Sequence, residues 1–253
     1  MPPLVSHMIA ARRAAGSLPP TCVDAKAGAY LLGSTSPDIR VLTRWDRERT
    51  HFFDLEEDTA HQDSVAGFFA AHPQLRESSA LSEETRAWTC GYVTHLVMDE
   101  LYITEVYRPF FGSRSTLGGG ERANLLDRVL QYELDRRERE DRVVMDEVRE
   151  ALFAGAVAID SGFIDRETME KWRDVTANVT EYAPDWERFT YIASRHLRRA
   201  GIESESDYAR FLEEVPEMLD ESLRTVGAAQ VDAFFERVQA RAVAQLEEYL
   251  GCR

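Results

Sequence analysis

The chain has 253 residues, of which 44% are hydrophobic, 30% charged and 10% aromatic, enough apolar material to bury a core and too much for a disordered chain. Thirty basic residues stand against 45 acidic ones, a formal charge of −15, which weighs against stable nucleic-acid binding and against anionic membrane surfaces. Fourteen glycines and nine prolines exclude a collagen-like or low-complexity protein, and three scattered cysteines (Cys22, Cys90, Cys252) suit buried or free thiols rather than a disulfide framework.

At the N-terminus, MPPLVSHMIAARR shows no basic region ahead of an apolar run, so no secretory signal is evident. The longest apolar run, residues 151–159, is about half of the roughly 20 residues a membrane-spanning helix needs, so no membrane insertion and a cytoplasmic location are expected. His7 opens HMIAARRAA, a short amphipathic helix. GAYLLGSTSPDIRV (28–41) reads as a helix stopped at Gly33 and followed by a turn, in which Asp38 follows Pro37. In RERTHFFDLEED (47–58), His51 stands beside Phe52 and Phe53. His61 follows an acidic run and His72 precedes Pro73 in an expected loop, so both are expected to be exposed.

Residues 82–109, SEETRAWTCGYVTHLVMDELYITEVYRP, form the strongest constellation. Ser82 can cap a helix, Glu83 and Glu84 suit its positive end, and Pro109 is expected to close it. His95 and Asp99 then fall one turn apart on one face. Tyr92, Val93, Leu96, Val97, Leu101 and Tyr102 surround them with apolar surface, so the pair is expected in the interior. There an imidazole and a carboxylate are costly unless hydrogen-bonded to each other or bound to a cation, and both outcomes fit this spacing.

STLGGGE (115–121) reads as a linker. It divides a metal-binding helical core (1–114) from a C-terminal helical region (121–253) expected to pack on it as one domain. Residues 1–120 hold 11 basic and 15 acidic side chains and five of the six histidines; residues 121–253 hold 19 and 30, and only His196. Chemistry is therefore expected in the first part. Leu125, Val129, Tyr132, Val144, Val148 and Leu152 mark one long helix or two joined ones, with DRREREDR (135–142) as a solvated face. Stripes follow at Tyr208, Phe211, Leu212, Val215, Leu219 and Leu223, with a kink expected at Pro216, and at Val231, Phe234, Phe235, Val238, Ala242, Leu246, Tyr249 and Leu250. No alternating run long enough for a strand occurs, and the fold class is all-α.

Singly, Asp38, His51 and His7 have ordinary readings as a turn aspartate, a core histidine and a capping histidine. Taken in order, His7, GSTSPDI (33–39), THFF (50–53) and GYVTHLVMDE (91–100) resemble the zinc-dependent phospholipase C family, in its broad intracellular-looking branch. These are α-helical metallohydrolases that share their architecture with P1-type nucleases. The resemblance covers about the first 110 residues. It implies a multi-helix bundle of that type with additional C-terminal helices, and one or two Zn²⁺ ions as cofactor. By the same resemblance Asp38, His51, His95 and Asp99 surround one metal, and Asp99 bridges to a second held also by His7.

The implied activity is hydrolysis of a small phosphoester, with a metal-activated water attacking phosphorus and Asp38 orienting or deprotonating it. Arg40, Arg44 and Arg108 are candidate anion holders, each with carboxylate pairing as the ordinary alternative. Secreted members also use the amino group of a processed N-terminal Trp, whereas this sequence begins Met-Pro-Pro. They add a downstream histidine pair and a glutamate for a third metal, and only His196 follows Glu100 here. Glu100 or Glu105 could stand in, though a solvent or dipole role suits them better. Two alternatives keep the same residues: a metal-binding scaffold that has lost catalysis, and a metallohydrolase with a non-phosphate substrate.

Overall fold

The computed structural model describes residues 2–19, 23–53, 62–154 and 157–251. Its elements in chain order are α1 (Leu4–Ala15), α2 (Ala27–Gly33), a 3-10 turn (Ser36–Ile39), α3 (Arg40–Thr43), α4 (Glu48–His51), α5 (Ser64–Ala71), α6 (Glu83–Tyr102), α7 (Glu121–Glu138), α8 (Arg142–Phe153), α9 (Arg166–Thr180), α10 (Phe189–Ile192), α11 (Ser194–Arg199), α12 (Glu205–Val226) and α13 (Ala228–Leu250). Among the described residues there is no strand, and the fold is all-α.

Helix α6 is the axis of the molecule. Ser82 caps it by accepting from the Thr85 amide at 3.2 Å, and from Ala87 to Tyr102 every residue is buried, as a helix apolar on all sides requires. α1, α2, α5 and α13 pack around it. The crossing with α2 is made by two glycines: a Cβ on Gly33 would collide with the Trp88 carbonyl, and one on Gly91 with the Tyr30 carbonyl. Side chains at either position would force the two backbones apart. Pro109 does not end the helix as expected. The chain continues as a π-helix over Ile103–Phe111, whose wider i→i+5 bonding, seen in the Gly112 amide donating to the Tyr107 carbonyl at 2.7 Å, leaves room for a residue without an N–H.

The C-terminal helices share one apolar cluster with α1, α2 and α6. The 121–153 stripe is two helices, restarted where Asp141 caps the Val144 amide at 3.1 Å. The stretch 135–142 is not a wholly solvated face: Asp135 and Arg139 are buried and face each other across one turn at 3.2 Å. Asp135 also accepts from the Ser6 amide at 3.1 Å and bonds the Val5 amide. It thereby caps the start of α1, where Pro3 offers no side-chain cap. Helix α12 runs on through Pro216. His72, expected to be exposed, is half-buried with its ring stacked on Phe163 at 3.8 Å. His61, Cys22 and Cys252 lie outside the described residues; Cys90 is a buried free thiol.

Candidate metal centre

Four separate segments converge at the middle of α6. His95 and Asp99 are one turn apart, with His95 Nε2 3.4 Å from Asp99 Oδ2. Helix α1 lays His7 on His95, ring centroids 3.7 Å apart and planes inclined by 13°, and brings His7 Nε2 within 3.5 Å of Asp99 Oδ1. The 3-10 turn after Gly33 presents Asp38, and α4 presents His51. His51 Nε2 lies 3.4 Å from both Asp38 Oδ1 and Asp99 Oδ2. The segment carrying His51 begins after Arg44 (φ 61°) and ends at Phe52 (φ 55°), the two described non-glycine residues with positive φ. Local strain of this kind persists only where surrounding structure holds it.

A second layer orients the rings. His95 Nδ1 lies 2.8 Å from the Ser34 carbonyl, which can only accept, so Nδ1 carries the proton and Nε2 faces the cluster with a lone pair. Thr50 Oγ–H donates to the Arg47 carbonyl at 3.3 Å, leaving its oxygen to accept from His51 Nδ1 at 2.8 Å. His51 Nε2 is thereby also a lone pair aimed at the carboxylates. Tyr92 OH donates to the Thr50 carbonyl at 2.7 Å and fixes this turn to α6. The Nε2 atoms of His7, His51 and His95 and Oδ1 of Asp99 are all buried without a hydrogen-bond partner.

Lone pairs and anionic oxygens packed together without protons repel one another, and buried polar atoms are rarely left so. The spacing itself suits a cation. Ligand atoms 2.0–2.1 Å from a tetrahedral ion stand about 3.4 Å from each other, and the contacts measured here are 3.4–3.5 Å. Two overlapping sets, His7 with His95 and Asp99, and Asp38 with His51 and His95, each keep one donor atom per residue within 4.8 Å of the others. The donor set fits a borderline-soft divalent metal such as zinc.

The electrostatics agree. Burial lowers the pKa of His7, and that of His51 to about 4, so both stay neutral. Burial also acts on His95, but Asp99, Asp38 and the Ser34 carbonyl outweigh it and raise its pKa. Desolvation works against ionising Asp99 and Asp38 too, and both carboxyls fall below the usual range only through protons on the facing imidazoles, chiefly His51 for Asp38 and His95 for Asp99. A bound cation would take over that role where Nε2 is a lone pair. The cluster is thus two carboxylates that demand positive charge nearby.

The structure brings together all five of His7, Asp38, His51, His95 and Asp99. Of the expected arginines, Arg40 Nε donates to the Trp45 carbonyl at 3.3 Å and Arg108 lies over the Phe53 ring at 5.2 Å. The arginine that reaches the site is Arg47, its guanidinium 3.4 Å from Asp99 Oδ2. No periodicity marked it, because its direction depends on the turn between Arg44 and Phe52. Glu100 faces away, accepting from the Ser64 amide and hydroxyl at 2.8 and 2.7 Å and from Arg241 at 2.6 Å. Glu105 pairs with Arg237 at 2.5 Å. His196 lies beside Glu121, Asn124 and Arg199. Neither glutamate nor His196 supplies a donor to this cluster.

Residues 6–100 match the family model described as zinc dependent phospholipase C. No curated protein and no solved structure matches the chain. Among the described residues no helix is long and apolar enough to cross a membrane.

Proposed function

Because residues 6–100 match the family model described as zinc dependent phospholipase C, we propose that the chain is a zinc-dependent hydrolase of a small phosphoester. The observation that carries this reading is the set of three imidazole nitrogens and a carboxylate oxygen, buried and without partners, at the mutual spacing of metal ligands. Asp38, His51, His95 and Asp99 would hold one ion through the contacts at 3.4 Å; His7 and Asp99 Oδ1 would hold a second.

A bound divalent ion supplies Lewis acidity, lowering the pKa of a water and polarising a phosphoryl oxygen. The protein's own groups do the positioning. Ser34 and Thr50 keep His95 and His51 in the tautomer that offers Nε2. Asp38, at 20% exposure the most open of the five, is the carboxylate that an entering water or ester meets, and it orients the attacking water by accepting its proton in a hydrogen bond. The walls around the histidines exclude bulk solvent, which strengthens every charge interaction within.

Metal analysis of protein purified without chelators, paired with a panel of phosphodiesters and phosphomonoesters, tests this reading. Wild type is expected to carry one to two metal equivalents and to turn over at least one ester class. Asp99→Asn should lose both, and Asp38→Asn should remain folded while slowing turnover by about 10²-fold or more. Absence of metal from wild type would sink the reading. Metal that stabilises the fold with no turnover on any ester would identify a binding scaffold instead.

A further inference from the structure

The cluster is closed on nearly every side. The side chains of His7, His51 and His95 are wholly buried and that of Asp99 is 3% exposed, whereas Asp38 and Arg47 retain 20% and 15%. Among the described residues of the cluster, these two side chains mark its opening to solvent. One of them, Asp38, is an anionic ligand that a bound ion would neutralise. The other, Arg47, is the cationic hydrogen-bond donor at the same opening.

Its placement is built rather than incidental. Arg47 precedes α4, and its carbonyl accepts from the Thr50 hydroxyl that orients His51, so one turn sets both residues. Its only charged contact within 4 Å among the described residues is the 3.4 Å approach to Asp99 Oδ2, the long end of an ion pair, and its Nε is buried with no partner. Nearby arginines are engaged elsewhere: Arg40 on the Trp45 carbonyl, Arg49 on the Trp45 ring at 3.7 Å. A guanidinium offers five donors in a planar fork that matches two oxygens of a phosphoryl group, and here much of that fork is unspent.

We propose that Arg47 binds the non-bridging phosphoryl oxygens of the substrate and thereby selects anionic esters over neutral ones. The inference rests on the metal-dependent reading above. A purely structural role, in which Arg47 only offsets the charge of Asp99, makes a different prediction for the anion. Removing a positive charge beside the ligands then leaves metal affinity equal or higher and anion binding untouched.

Inorganic phosphate is the probe, titrated calorimetrically into the metal-loaded full chain, with metal content measured on the same samples. Arg47→Gln should keep its metal and bind phosphate about tenfold to a hundredfold more weakly. Arg47→Lys, which keeps the charge and loses the fork, should fall between, and KM for the ester should rise more than kcat falls. Phosphate binding equal to wild type in Arg47→Gln overturns the inference; should that variant not fold, wild-type phosphate binding by Arg47→Lys overturns it. Metal-loaded wild type that binds no phosphate also overturns it, while leaving the metal reading intact. Wild type without metal ends both.

Discussion

A histidine held neutral inside a protein resists the proton that the unfolded chain would accept, and each such residue makes the fold sensitive to acid. His196 is one that stands apart from the metal centre, half-buried between α11 and α7, and burial with Arg128 nearby lowers its pKa to about 4. Between its ordinary value of about 6.5 and that folded value, the unfolded state binds more protons. Stability is therefore full above the higher value, falls as the pH drops through this window, and is level below it. His196→Asn should flatten the slope relative to wild type by less than the about 1.4 kcal/mol per pH unit of one whole proton. Denaturant melts from pH 4 to 7 measure it, and identical slopes for the two proteins would remove His196 from the account. At this scale the sequence was readable where spacing alone decides, as for His95 and Asp99 one turn apart on a helix. It was unreadable where a turn decides, as for Arg47, or where burial of a charged pair decides, as for Asp135 and Arg139.

At the level of elements, the position of the centre depends on how closely α2 and α6 cross. Gly33 and Gly91 let the backbones touch, and the same contact places the Ser34 carbonyl on His95 Nδ1. Gly91→Ala puts a methyl group against the Tyr30 carbonyl, a backbone atom that cannot swing aside. The expected cost is about 3 kcal/mol or more in a denaturant melt, with weakened metal retention as the ring loses its acceptor. A melt within experimental scatter of wild type would show that the crossing can relax. The long helices were legible because their apolar stripes are regular: α12 buries Phe211, Val215 and Met218, and α13 buries Val231, Phe234, Val238, Ala242 and Leu246. The endings were less so. Pro109 and Pro216 both lie inside helical turns, since tertiary packing on α6 and α7 can outweigh the loss of one backbone hydrogen bond.

For the whole molecule, the candidate ligands run from residue 7 to residue 99, but what steadies them comes from both halves. Asp135 caps the helix that carries His7, and Arg241 holds Glu100 next to Asp99. The charge asymmetry seen in the sequence hid this dependence, because the supporting contacts are single residues in an otherwise acidic surface. An ion bound only by the folded arrangement stabilises it by mass action, about 2.7 kcal/mol at a hundred times its Kd. At about 2–4 °C per kcal/mol for a chain of this size, chelation should lower the melting midpoint by about 5–10 °C. In His95→Ala the chelator should change nothing, and an equal shift in that variant would place the ion elsewhere. One geometric detail sets how such loading proceeds. An imidazole nitrogen has a single lone pair, so His95 can serve one ion at a time, whereas Asp99 turns Oδ2 to His51 and His95 and Oδ1 to His7. If two ions bind as proposed, four donors on one side and two on the other would make the affinities unequal, and the sites would fill in two stages as the free metal rises.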